Sequence, residues 1–160
     1  MTAQTLDRTL SCFRIGDPAG AYPIFDATGS TIAPGRWNTP GSPILCASEH
    51  YSTALLEKLV HGSGRLPPNQ HYIEITIPRG LSYEVFSPAA LPNWDSMPVT
   101  VSRPFGEHWC LEKRSVILLV PSVVARLDHN VLINVAHPEF RFLEASLHDA
   151  VFWDRRLFGA

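Results

Sequence analysis

No run in this sequence approaches the ~20 consecutive apolar residues that a membrane-crossing helix requires, so no spanning segment is expected. The start, Met1-Thr2-Ala3-Gln4, has no basic stretch followed by an apolar one, and no signal peptide is expected. Paired Cys-x-x-Cys spacing is also missing. The three cysteines, Cys12, Cys46 and Cys110, are odd in number and far apart, which fits reduced thiols in a cytoplasmic protein better than a disulfide framework. There is no basic tail or lysine run. Lys and Arg total 13 against 15 Asp and Glu, a net charge of −2, whereas a nucleic-acid surface needs clustered cations. The seven histidines come without an HExxH helix or an aspartate-rich calcium loop, so no metal is expected. No GxGxxG, phosphate-loop lysine or Gly-x-Ser-x-Gly elbow is present. Rossmann, Walker and nucleophile-elbow hydrolase chemistry therefore have no support.

What is there suits one domain over residues 1–160. The 160 residues are 45% hydrophobic and 18% charged, enough for a real core, and 14 prolines and 10 glycines are scattered enough to predict many short elements. Leu10–Ile15 reads as a first strand ended by Gly16-Asp17-Pro18, and residues 19–34 read as a long loop. Pro43–Ser48 reads as a short buried strand, with Ser48 placed to cap a helix over His50–His61. That helix carries Leu55, Leu56, Leu59 and Val60 as its apolar stripe, and Gly62-Ser63-Gly64 ends it. His71–Ile77 alternates strictly and is the clearest strand. Tyr83–Phe86, Ser115–Val120, Asn130–Asn134 and Phe140–Ala145 are further strands. Residues 87–104 read as irregular, and Phe105–Lys113 as a helix anchored by Trp109. Strands mixed with two or three helices give one α+β domain.

Several side chains admit two readings. Arg14, between Phe13 and Ile15, reads locally as an edge-strand charge reaching water. Glu57 lies off the apolar stripe beside Ala54 and His61. It is either a solvated carboxylate paired with His61 at i, i+4 or a group facing a cleft. Arg36 is either a turn residue stacked on Trp37 or an anion ligand. Cys46, in an apolar run, reads as buried packing. Scattered histidines with Arg155-Arg156 also permit a ribonuclease, which the acidic balance disfavours.

Ordered blocks then carry a resemblance. They are Phe13-Arg14-Ile15; Gly35-Arg36-Trp37-Asn38 with Pro40-Gly41; Ala47-Ser48 through Ala54-Leu55-Leu56-Glu57; Val120-Pro121-Ser122; Asn130–Asn134 with His137-Pro138; and Asp154-Arg155-Arg156-Leu157. From about residue 10 to 157 the chain resembles the RES-domain toxins. The resemblance implies a split, twisted sheet like that of diphtheria-toxin-like ADP-ribosyltransferases, clasping NAD. It implies a type II toxin that depletes NAD by hydrolysis or phosphorolysis of the nicotinamide–ribose bond, or that transfers ADP-ribose to a host protein. NAD would be the substrate, with no further cofactor, and an Xre-like helix-turn-helix antitoxin the partner. Arg36 and Glu57 would be catalytic, and Arg14, Arg36, Ser122, Asn134 and Trp37 would bind the dinucleotide. Tyr22, Phe25 and Trp37 would be candidates for the nicotinamide wall. The family usually has tyrosine where this chain has Cys46, with Tyr22 or Tyr51 as possible substitutes, and proline where it has Val135. The tyrosine's loss keeps a catalytically inactive binding partner as an alternative.

Overall fold

The structure, a computed structural model, describes residues 2–159; Met1 and Ala160, the ends of the expected domain, lie outside the described residues. Nine strands form one sheet: β1 (Gln4–Thr5), β2 (Leu10–Gly16), β3 (Ile44–Ser48), β4 (His71–Ile77), β5 (Ser82–Val85), β6 (Ile117–Pro121), β7 (His129–Asn134), β8 (Glu144–Ala145) and β9 (Asp149–Ala150). Three α-helices accompany them: α1 (Thr28–Ile32), α2 (Tyr51–His61) and α3 (Ser102–Glu112). The strand order is β1-β5-β6-β7-β3-β2-β4-β8, with β9 also on β4, and β5 with β6 is the parallel pair. This is an α+β fold built on a large twisted sheet.

The alternation along β3 and β7 sends side chains to two cores, one on each face. Leu45, Ala47, Val131 and Ile133 join Cys12, Ile73, Ile75 and Ile77 on one side. Ile44, Leu132, Leu118 and Val120 join Trp37, Phe86, Trp94 and Trp109 on the other. Trp109 is fully buried there and donates its indole N–H to Ser115 Oγ at 2.9 Å.

The sheet nearly parts in the middle. β3 matches β7 over five residues, but it meets β2 at a single pair, Phe13 with Ser48. Beyond that pair the strands separate, and the Arg14 side chain stands in the gap. Its Nε donates to the Ile24 carbonyl at 2.8 Å and its Nη1 to the Cys46 carbonyl at 2.7 Å. The charge expected at a free edge therefore replaces a strand's missing partner.

Three other expectations are corrected. Ser48 does not cap α2; His50 is the capping position and makes no side-chain cap bond. The apolar stripe of α2 does not enter the core. The buried helix residues are Thr53 and Ala54, while Leu56 and Val60 are 40% and 56% exposed. Short helix packing against β2 and β3 is made by the small residues, which allow close approach. Finally, residues 140–145 are not one strand: the first three end a 3₁₀ turn, Pro138–Phe142, and only the last two form a strand, β8. Pro138 lacks an N–H and favours the first position of such a turn.

Candidate active site

Below the parting of β2 and β3, α2 walls a cleft of about 160 Å³. Phe13, Arg14 and Ile15 come from β2, Cys46, Ala47 and Ser48 from β3, Asn130 from β7, and Ala54, Glu57, Lys58 and His61 from α2. The four helix residues follow the i, i+3, i+4, i+7 spacing of one helical face. That face, not the leucine stripe, is the one turned to the sheet.

Glu57 is held from the loop that follows β6 and from β7. Ser122 Oγ donates to its Oε1 at 2.7 Å, and Asn130 Nδ2 donates to the same oxygen at 2.6 Å. Ser122 Oγ in turn accepts the Ala125 N–H at 3.0 Å, so the hydroxyl's one proton is free to point at the carboxylate. His61 does not pair with the Glu57 carboxylate; its Nδ1 donates to the Glu57 backbone carbonyl at 2.7 Å. Two cations face the same space. Lys58 donates to the Ile15 carbonyl at 3.3 Å, and burial followed by the charge of Arg14 lowers its pKa. Burial also lowers that of Arg14. Of five guanidinium N–H groups, Arg14 commits two to carbonyls, and the rest remain for an anion.

Cys46 is exposed in the cleft rather than packed away. Protein on its other sides desolvates the thiol and, with the charge of Glu57, pushes it up to about 11 against the opposing pull of Arg14. It is a poor nucleophile in that state.

Arg36 lies outside the cleft lining, held at the base of the neighbouring loop. Its Nη1 donates to the carbonyls of Trp94 (3.1 Å) and Ser96 (2.9 Å), and Nη2 reaches Met97 Sδ at 3.3 Å. Desolvation lowers its pKa, while the charges of Asp95 and Glu57 oppose that shift, so Glu57 is within electrostatic reach. Arg36 does not stack on Trp37. Trp37 is 6% exposed and lies parallel to Trp94 at 6.0 Å, deep in the second core. The turn is clamped by α3: a Cβ on Gly106 would stand 1.7 Å from the Trp37 carbonyl oxygen, which only glycine avoids.

The structure thus brings together Arg14, Glu57 and Ser122, with Arg36 nearby, and leaves Trp37 and Asn134 apart. Asn134 is fully buried, donates to the Cys110 carbonyl at 2.8 Å and accepts from Cys110 Sγ and the Ala136 N–H. It shares a face of β7 with Asn130, but four residues at ~3.3 Å each put it about 13 Å away. Tyr22 and Phe25 line a separate cavity of about 350 Å³ with Ile73 and His148. Phe13 is the aromatic wall of the cleft. Sequence reasoning missed Asn130, Lys58 and His61 as site residues, although the helical spacing from Ala54 already marked the last two. Among the described residues, no cluster of three or more His, Cys, Asp or Glu side chains is arranged to hold a metal. No described helix is long and apolar enough to cross a membrane.

Residues 11–154 match the RES domain. The chain belongs to the RES family. A curated relative from Sphingobium sp. (strain YBL2), named "Prs ADP-ribosylating toxin", is 38% identical over 93% of this chain and 97% of its own length. One from Pseudomonas putida, named "Toxin Res", is 29% identical over 86% of this chain and 95% of its own. The RES fold described here also matches a solved chain from the M. tuberculosis MbcT–MbcA toxin–antitoxin complex. The TM-score is 0.69 at 12% identity, covering 92% of this chain and 86% of that one.

Proposed function

We propose that this RES domain is the toxin of a toxin–antitoxin pair and that it cleaves the nicotinamide–ribose bond of NAD, passing ADP-ribose to water or phosphate. The observation that carries this reading is the Glu57 carboxylate, fixed on one oxygen by Ser122 and Asn130 in a cleft walled by Arg14 and Lys58. Breaking that bond develops oxocarbenium character on the ribose while nicotinamide departs as a neutral molecule. A positioned carboxylate stabilises the cationic centre and holds a ribose hydroxyl; no strong acid is needed at the leaving group. Arginine's planar fork suits the pyrophosphate, and Arg14, with Arg36 further along, supplies that fork. At about 160 Å³ the cleft is smaller than the ~300–1,000 Å³ of whole-ligand pockets. It suits the nicotinamide–ribose end, with Phe13 against the ring and the remaining dinucleotide on the open rim towards Arg36.

A second reading has its own support. The Sphingobium relative's name describes an ADP-ribosylating toxin, and transfer of ADP-ribose to a protein would use the same ribosyl centre. An antitoxin with an Xre-like helix-turn-helix domain is the proposed partner, covering the cleft. The test is mass-resolved NAD consumption by the purified chain, with and without phosphate, beside Glu57→Gln. Glu57-dependent loss of NAD supports cleavage, and ADP-ribose or its phosphorylated form identifies the acceptor. Loss only in lysate, with labelled ADP-ribose on a protein, selects the second reading. No loss in either setting removes both.

A further inference from the structure

The Asn130 amide decides whether Glu57 is attracted or repelled. Its nitrogen end donates to the carboxylate, but the same side chain turned by half a revolution would set an oxygen against an oxygen. Asn130 stands directly opposite Ser48 in the β3–β7 ladder, so strand alternation puts both side chains on the face turned to α2. Ser48 Oγ lies 2.9 Å from Asn130 Oδ1, where only a donated hydroxyl proton satisfies that oxygen. The donors therefore run one way, from Ser48 to Asn130 to Glu57, and each bond polarises the next. Ser122 adds a second donor to the same Oε1, and its own oxygen is already occupied by the Ala125 N–H. Among the described residues, Glu57 Oε2 has no hydrogen-bond partner. One oxygen is anchored and the other is left for ligand.

We propose that Ser48 and Asn130 are positioning residues that fix which carboxylate oxygen of Glu57 meets the substrate. Ser48, 4% exposed, acts through Asn130 rather than on the ligand. It is also the residue at which β3 meets β2, so the relay starts at the point where the sheet parts. The remaining charged or titratable groups around the carboxylate are Arg14 from β2, Cys46 from β3, and Lys58 and His61 from α2, with Arg36 farther off. This inference rests on the proposed NAD reading for its catalytic consequence but not for its geometry.

The experiment pairs kinetics with resonance measurements on the intact chain. Ser48→Ala is expected to lower kcat for NAD loss about 5- to 50-fold with KM within about twofold, and Ser48→Thr to restore most of it. A merely structural role would lower the melting temperature and leave kcat of the folded fraction unchanged. Asn130→Asp replaces the donor with a second carboxylate facing Glu57, and kcat is expected to fall at least about tenfold in the folded variant. In Ser48→Ala the Asn130 side-chain amide protons are expected to shift. Wild-type kcat in folded Ser48→Ala, or unmoved Asn130 amide protons in that variant, overturns the relay. If the wild-type chain consumes no NAD, the cleavage reading falls and the resonances alone judge the relay.

Discussion

Replacing Arg14 with methionine keeps the length of an apolar stem and removes the guanidinium from the gap between β2 and β3. Two bonds vanish. The Nε bond to Ile24 is partly buried, and a charged donor there contributes about 1.5–3 kcal/mol; the Nη1 bond to Cys46 faces solvent, where water replaces part of it, leaving about 1. The loss is therefore about 2.5–4 kcal/mol. For a chain of this size each kcal/mol moves the melting temperature by about 2–4 °C, so a drop of roughly 5–16 °C is expected. Thermal unfolding by circular dichroism measures it, with a urea series at unchanged slope to show that stability, not compactness, has changed. Lys58→Met is the control. Its bond to Ile15 is longer, at 3.3 Å, and its removal should cost less than about 1 kcal/mol. An Arg14→Met protein melting within about 1 °C of wild type would refute the view that this side chain joins the two halves of the sheet.

Glu57→Gln is expected to lower NAD turnover at least about a hundredfold while melting within a few degrees of wild type, because the amide still accepts from Ser122 and Asn130 but carries no charge. Equal turnover in the folded variant would remove Glu57 from the chemistry. Cys46, despite its exposure, should react with iodoacetamide far more slowly than an ordinary cysteine near pH 8, with the rate climbing towards its raised value of about 11; free-thiol rates would contradict the crowding assigned to the cleft. The hydrogen bond from Thr53, aided by the charges of His50 and His129, holds the Asp128 carboxyl below the usual range. The folded state then binds that proton less readily than the unfolded chain. Its stabilisation is full above the ordinary carboxylate value and is lost as pH falls through the lower folded-state value. Asp128→Asn should flatten that acid limb of the melting profile, and an unaltered limb would argue against the assignment.

Patterns confined to a few neighbouring residues were the legible part of the sequence. Strict alternation marks β4 at its observed ends, and the glycine-rich stop after His61 fixes the end of α2. The resemblance implies a shared site for Arg14, Glu57 and Ser122, and the fold sets these three side chains near one another at the parted strands. The direction in which α2 faces was not legible. Leucine at helical spacing marks the core side of most surface helices, yet here alanine and threonine pack against the sheet and the leucine side is left open. Choosing Asn130 over Asn134 needs the register of β7 on β3, since both asparagines lie on one face of the strand. Trp37 belongs to a signature turn, but the depth of a large ring depends on Trp94 and Phe86, more than 45 residues further on.

The two groups that orient Glu57 lie 65 and 73 residues after it in the chain. At about 5–20 residues per second, synthesis leaves roughly 4–15 s between the carboxylate and the asparagine that aims it. An unfinished chain therefore holds Glu57 without the oriented cleft around it. On the proposed reading, competence arrives only after β7 has been made, well after the carboxylate itself.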